Sequence, residues 1–193
     1  MDKAAVFFRL VGSFLYKEST AYDIAYLKEE DIFSELPFAR VNPLVLHGQK
    51  VMLDWLNEGS CQELAERAAS DQMKLFIGAG KVLAPPWGSC YLTEERLIFQ
   101  EQTLNVRDFY AHYGLKLKKK HSEPDDHIGL ELEFLAHLLE NNEAEAALRF
   151  AREHINTWVF MWCEDVEKSA KTGYYKGLAC MATGGIEYFL QKT

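Results

Sequence analysis

Three places in the chain combine residue types and spacing in ways that suggest chemistry. The first is Asp125-Asp126-His127, two carboxylates and an imidazole in a row, which is raw material for general acid–base work or for a metal-dependent or nucleotide hydrolase. The same acids have a plainer use, because carboxylates near a helix start stabilise its positive end. The second is Gly78-Ala79-Gly80-Lys81, which resembles a fragment of a phosphate loop but fails the spacing of both GxxxxGK[ST] and GxGxxG. The third is Ser89-Cys90, two nucleophile types without the G-x-S-x-G elbow that would expose one of them. A metal finds little in the spacing. There is no Glu-x-x-His pair of the kind that builds carboxylate-bridged sites in bundles, and His127 and His137 share a helical face only loosely. Cys61, Cys90, Cys163 and Cys180 form no CxxC pair. They read as reduced thiols rather than as a disulfide frame or a zinc site.

The bulk properties narrow the field further. Of 193 residues, 48% are hydrophobic and 26% charged, enough apolar material to fold rather than stay disordered. A net charge of −8 argues against nucleic acid, whose phosphates need clustered Lys and Arg, and suits a partner carrying positive charge. The longest apolar stretch, Ala4 to Tyr16, is interrupted by Arg9 and is too short to cross a membrane. It lacks the basic start and cleavage site of a secretory signal. The expected compartment is the cytoplasm.

Two features are not explained by core packing. Ala84-Pro85-Pro86-Trp87-Gly88-Ser89-Cys90-Tyr91 stiffens a loop with two prolines and then presents Trp and Tyr. Rigid aromatic surface is efficient in binding sites because little entropy is lost on contact; the plainer use is for Trp87 to plug the core. Second, Glu123, Asp125, Asp126, Glu131, Glu133, Glu140, Glu143 and Glu145 fall in one stretch that contains no Lys or Arg.

The elements that must position these residues read as helices, since period-2 alternation is nearly absent. Val6, Phe7, Leu10, Val11 and Phe14 form one apolar stripe from about Asp2 to Tyr16. A short helix starts at Thr20. Asn42-Pro43 is a helix start, and Ser60 with Glu63 forms a capping box for a helix that ends near Ile77. Residues 78–92 are the least helical part, with two prolines and three glycines. Helical pattern returns at Thr93 and stops at Gly114. Ser122 and Asp125 make a capping box with Pro124 in the first turn of a strong helix carrying Ile128, Leu132, Leu135 and Leu139. Helices from Glu143 to about His154, around Trp158 and Trp162, and after Gly173 complete an all-α bundle of eight or more helices. It reads as a single domain of two halves, about 1–114 and 124–193. A lysine-rich connector, about 115–123, joins them and leaves open either a monomer or a dimer that exchanges halves.

Taken together, PPWGSCYLTEERLIF (Pro85–Phe99) and EPDDHIGLELEFLAHLL (Glu123–Leu139) resemble the TorD/DmsD/NarJ family of redox-enzyme maturation chaperones, nearest its TorD/DmsD branch. Their order and spacing, the early VGSFLY segment and the overall length share the resemblance. It implies an all-helical cytoplasmic chaperone, not an enzyme. Such a chaperone binds the twin-arginine signal peptide, or the apoprotein, of a molybdenum-cofactor oxidoreductase of the dimethyl sulfoxide or trimethylamine N-oxide reductase type, and delays export until the cofactor is inserted. No cofactor of its own is implied beyond weak guanine-nucleotide binding. Carried over residue by residue, the binding surface falls on Pro85, Pro86, Trp87, Gly88 and Tyr91 in the loop and on Glu123, Pro124, Asp126 and His127 at the helix start. Leu75 and Phe76 match positions drawn into the same pocket. Cys90 departs from the small apolar residue usual there. An adaptor that recognises only the folded catalytic subunit stays open as an alternative.

The chemistry of such a leader fits these residue types. Guanidinium groups are best met by carboxylates, which Glu123 and Asp126 could supply, while Trp87 and Tyr91 could stack on an arginine plane. His127 could hold Asp126 in place, or weaken the site on becoming charged at low pH.

Overall fold

The computed structural model describes residues 3–78, 81–116 and 123–192. Among them are ten α-helices and no strand. The helices are α1 (Lys3–Tyr16), α2 (Ala21–Glu29), α3 (Pro43–Leu56), α4 (Cys61–Gln72), α5 (Ser89–Leu92), α6 (Glu101–His112), α7 (Ile128–Glu140), α8 (Ala144–Glu153), α9 (Val159–Ser169) and α10 (Gly173–Gln191).

Several helix starts follow from local chemistry. The Thr20 side chain accepts from Asp23 N and the Asp23 side chain reaches back to Thr20 N, a reciprocal box that satisfies two otherwise orphaned donors. Ser60 and Glu63 do the same for α4. Asn42 accepts from Leu44 N and Val45 N ahead of Pro43, whose missing N–H costs nothing at a first helical position. The start of α10 is capped from a distance. Buried Asp71 on α4 accepts from Lys171 N, Thr172 N and the Thr172 hydroxyl.

Two helix starts differ from the sequence reading. Residues 93–100 are irregular, with Arg96 and Phe99 in the left-handed region (φ 52° and 59°), so α6 opens at Glu101 rather than at Thr93. The helix α7 opens at Ile128, three residues past the expected box. Its cap is His127, whose Nδ1 accepts from Gly129 N at 3.0 Å. Pro124 therefore precedes the helix instead of sitting in its first turn, and Asp125 turns away to pair with Arg107. Ser122 and most of the lysine-rich connector lie outside the described residues.

One core runs through the chain. Its largest wholly buried side chains include Phe7, Phe8, Trp55, Phe150, Trp158, Trp162, Tyr174 and Tyr175. The two strongest packings are α1 on α7 and α3 on α10, so each joins an early helix to a late one. Where α1 crosses α7, Gly12 faces Gly129; a Cβ on Gly129 would lie 2.8 Å from Gly12 O and 2.8 Å from Tyr16 Cβ. This backbone-to-backbone approach seats the end of α1, with Tyr16, against the start of α7, with His127.

Candidate functional site

The loop and the acidic helix start meet. Trp87 and His127 form an antiparallel bridge, with Gly88 N donating to Asp126 O at 3.0 Å and Ile128 N donating to Pro86 O at 2.8 Å. The loop is closed at its other end by Ala84 N donating to Leu75 O at 2.9 Å. Leu75 belongs to the single π turn, Met73–Ile77, that extends α4. Such turns recur at functional sites.

Asp126 is the clamp of this junction. It is wholly buried, and its two oxygens accept from Ser89 N (2.7 Å) and from the Thr103 hydroxyl on α6 (2.7 Å). Asp125 accepts from Arg107 Nε at 2.8 Å while its carbonyl accepts from the Tyr110 hydroxyl at 3.1 Å. Burial pulls the His127 pKa down to about 3, so the ring stays neutral and its Nδ1 is free to accept the cap hydrogen bond. Two readings of these residues are corrected by that geometry. Asp126 presents no surface to a client arginine or to a substrate, its two oxygens being buried and turned to Ser89 N and the Thr103 hydroxyl, and His127 holds the helix start and packs against Trp87.

The predicted residues sort by exposure. Leu75, Phe76, Pro85, Pro86, Gly88, Pro124, Asp126 and His127 are buried, whereas Trp87, Tyr91 and Glu123 are half-buried. Phe76 sits edge-on to Tyr175. Gly88 is required because a Cβ there would stand 2.7 Å from the Trp158 Nε1. The His127 ring joins the half-buried groups, for it meets Trp87 on one side (6.0 Å) and Tyr16 on the other (5.2 Å), both edge-to-face. Tyr16 in turn donates its hydroxyl to Glu123 Oε2 at 2.7 Å. Burial and the Glu123 carboxylate push the Tyr16 pKa up to about 12. Tyr91 stacks on Trp158 (5.7 Å) with one face and carries the Arg96 guanidinium (4.8 Å) on its ring. Beneath the junction, Glu131 on α7 is wholly buried, with the Trp158 indole as a polar neighbour that favours its charged form only in part. Burial, then the nearby Asp126 charge, raises its pKa well above the carboxylate range.

Tyr16, Thr103 and Arg107 are parts of this site that lie outside the two motifs, and Arg96 lies inside the first but is not among the predicted site residues. Tyr16 closes the VGSFLY segment, the only signal available for it. For metal binding, the described residues bring together one group, His47, Glu167 and Cys180, with ligand atoms within 4.8 Å of one another. It lies on α3, α9 and α10 and includes no predicted site residue.

The described residues thus form an all-helical body whose aromatic loop is hydrogen-bonded to an acidic helix start. The chain belongs to the nitrate reductase delta subunit family, whose model matches residues 49–164. Among its relatives, the Haemophilus influenzae protein named "Probable Tat proofreading chaperone DmsD" is 36% identical over 118 residues, covering 61% of this chain and 58% of that one. The Vibrio cholerae chaperone protein TorD is 24% identical over 198 residues, covering 96% and 90%. The Tat proofreading chaperone DmsD of Salmonella paratyphi A is 26% identical over 185 residues, covering 94% and 86%. A solved redox enzyme maturation protein from Archaeoglobus fulgidus shares the fold, with a TM-score of 0.57 at 20% identity over 100% of this chain and 94% of that one.

Proposed function

We propose that this protein is a redox-enzyme maturation chaperone that binds the twin-arginine leader of a molybdenum-cofactor oxidoreductase on the face carrying Trp87, Tyr91 and Glu123. The names Tat proofreading chaperone and redox enzyme maturation protein support a twin-arginine-exported redox enzyme as the client, and the molybdenum-cofactor class is what the resemblance of the two motifs implies. The observation that carries the site is the Trp87–His127 bridge, which fixes the half-buried Trp87 beside the His127 ring, with Tyr16 and its partner Glu123 on the far side of that ring. The buried members of the predicted set act as positioning residues. Asp126 fixes the loop to α6, His127 caps α7 and separates Trp87 from Tyr16, and the two prolines stiffen the backbone between them.

The function is served in the cytoplasm, before export. No helix among the described residues is long and apolar enough to cross a membrane, in keeping with that reading. Magnitudes favour a releasable complex. Burying about 600 Å² of apolar surface contributes roughly 15 kcal/mol gross at ~25 cal/mol per Å². Ordering the leader and losing its free motion offset half or more of that, which leaves affinity on the order of micromolar.

The test is calorimetric titration of the chaperone with the leader peptide of a dimethyl sulfoxide reductase and, separately, with the leaderless apoenzyme. Binding of the peptide alone, weakened about tenfold or more by Trp87→Ala at unchanged helix content, supports the reading. Binding of only the leaderless protein would replace it with the adaptor reading.

A further inference from the structure

Beside the junction lies a second feature, built by the chain after the loop and by α9. A cavity of about 420 Å³ is lined by Tyr91, Glu94, Arg96, Met161, Glu164 and Asp165, with Cys90 and Thr93 completing it. Three of these side chains are carboxylates and one is a guanidinium. Arg96 occupies the cavity in a particular way: its plane lies over the Tyr91 ring at 4.8 Å, its Nη2 donates to Asp165 Oδ2 at 2.7 Å, and its Nε donates to Cys90 O at 3.2 Å. An aromatic platform, a carboxylate at the rim and a carbonyl acceptor are what any arginine would seek from this surface.

The backbone that delivers Arg96 is strained. Arg96 and Phe99 both sit in the left-handed region, which costs a residue with a side chain on the order of 1 kcal/mol or more. Such conformations cluster at clamps and switch regions. The same short segment leaves Leu92, Leu97, Ile98 and Phe99 exposed, and Phe160 and Met161 are exposed on the first turn of α9. Singly, exposed apolar residues need no explanation, but a run of this kind next to an acidic cavity does. A leader with two guanidinium groups followed by an apolar stretch matches both parts in charge and in polarity.

Resting on the leader-binding reading above, we infer that this cavity is the subsite for a client arginine, floored by Tyr91 and edged by Asp165, and that Arg96 fills it in the free protein as an internal stand-in that the client displaces. When Arg96 leaves, Asp165 loses its guanidinium partner and keeps only the neighbouring Tyr91 hydroxyl, Glu94 and Glu164 remain at the rim, and the 93–99 segment is released from its strained turn to cover the apolar stretch. Glu164 keeps a partner in Lys168 at 3.0 Å on the exposed side of α9, so Asp165 is the acid that takes the client.

The test uses the intact protein in four variants outside the clamp: Arg96→Gln, Arg96→Lys, Asp165→Asn, and Arg96→Gln combined with Asp165→Asn. The probe is a dimethyl sulfoxide reductase leader peptide, with its twin-lysine version as control. Removing an exposed ion pair and a cation–π contact that compete with the ligand should tighten leader binding about fivefold. Asp165→Asn should weaken it about tenfold or more, and the combined variant should bind no better than Asp165→Asn alone. Wild-type protein should prefer twin arginine over twin lysine, because ammonium neither stacks nor binds in a fork. Leader binding by the wild type that Arg96→Gln leaves unchanged or weakens overturns the stand-in while leaving the leader-binding reading intact. Absence of any leader binding by the wild type overturns both. Circular dichroism on each variant confirms the fold, and Arg96→Lys, which keeps a charge for Asp165 and for the Tyr91 ring but loses the planar fork, should tighten binding less than Arg96→Gln.

Discussion

Replacing Asp126 by alanine separates a clamp from a ligand contact. The structure gives the carboxylate two duties, an acceptor for Ser89 N and an acceptor for the Thr103 hydroxyl, both at 2.7 Å and both out of water. Alanine leaves those two donors buried without partners, at about 1–3 kcal/mol each. The expected loss is about 2–6 kcal/mol, a large share of the ~5–15 kcal/mol that holds a domain together. At ~2–4 °C per kcal/mol for a chain of this size, the melting temperature should fall by roughly 5–20 °C. Asparagine keeps one acceptor and should cost about half as much. Adding Thr103→Val to Asp126→Ala removes one of the two orphaned donors, so that pair should cost less than the sum of the two single changes. Thermal melts by circular dichroism and calorimetric titration with the leader peptide, run on the same samples, provide the assay. The Ala variant should lose leader binding together with its stability. A variant that melts within ~2 °C of wild type yet no longer binds the peptide would refute the clamp, because the carboxylate would then be serving the client.

Three further outcomes follow from the same geometry. His127 is held neutral with its pKa near 3, well below that of the unfolded chain, so its contribution to stability is complete above pH ~6.5 and is lost as pH falls from there toward 3. His127→Asn keeps a cap acceptor and removes the titration; it should flatten the stability–pH slope between pH 6.5 and 4.5 by about 1.4 kcal/mol per unit, read from urea midpoints, and an unchanged slope would count against the buried neutral ring. Glu131 has the opposite sign, since a raised pKa means that stability is present at low pH and is lost as pH rises above ~4.5. Glu131→Gln should therefore gain on wild type as pH rises from 5 to 8, and equal curves would show that the carboxyl has found a partner. Gly129→Ala pushes a methyl into Gly12 O and Tyr16 and should cost about 1–3 kcal/mol or more, with weaker leader binding because Tyr16 and Glu123 move with α1; a neutral melt would mean that the α1–α7 crossing can relax.

What the sequence reveals of this molecule depends on range. Thr20, Asn42-Pro43 and Ser60 with Glu63 set helix starts through neighbours three residues away, and each is visible as a motif. The starts of α6 and α7 are set by distant partners. Asp125 looks like part of a capping box until Arg107 is brought beside it, and His127 takes over the cap because Tyr16 and Trp87 fix its ring. The same holds at the site. The two motifs that announce it are contiguous in sequence and legible, but which of their residues face water is decided by Thr103, Trp158 and Tyr16, none of which adjoins them. The family resemblance carries Asp126 over as a contact for the leader, and its hydrogen bonds to Ser89 N and the Thr103 hydroxyl give it a structural role.

The crossings of α1 over α7 and of α3 over α10 have a consequence for biosynthesis. Each early helix finds its main partner only in the later part of the chain, so the nascent N-terminal segment leaves the ribosome with Phe7, Phe8 and Trp55 still awaiting cover. At roughly 5–20 residues per second, that exposure lasts on the order of ten seconds. A protein that shelters unfinished clients thus passes through its own vulnerable interval, and its folding rate should be limited by long-range closure rather than by helix formation.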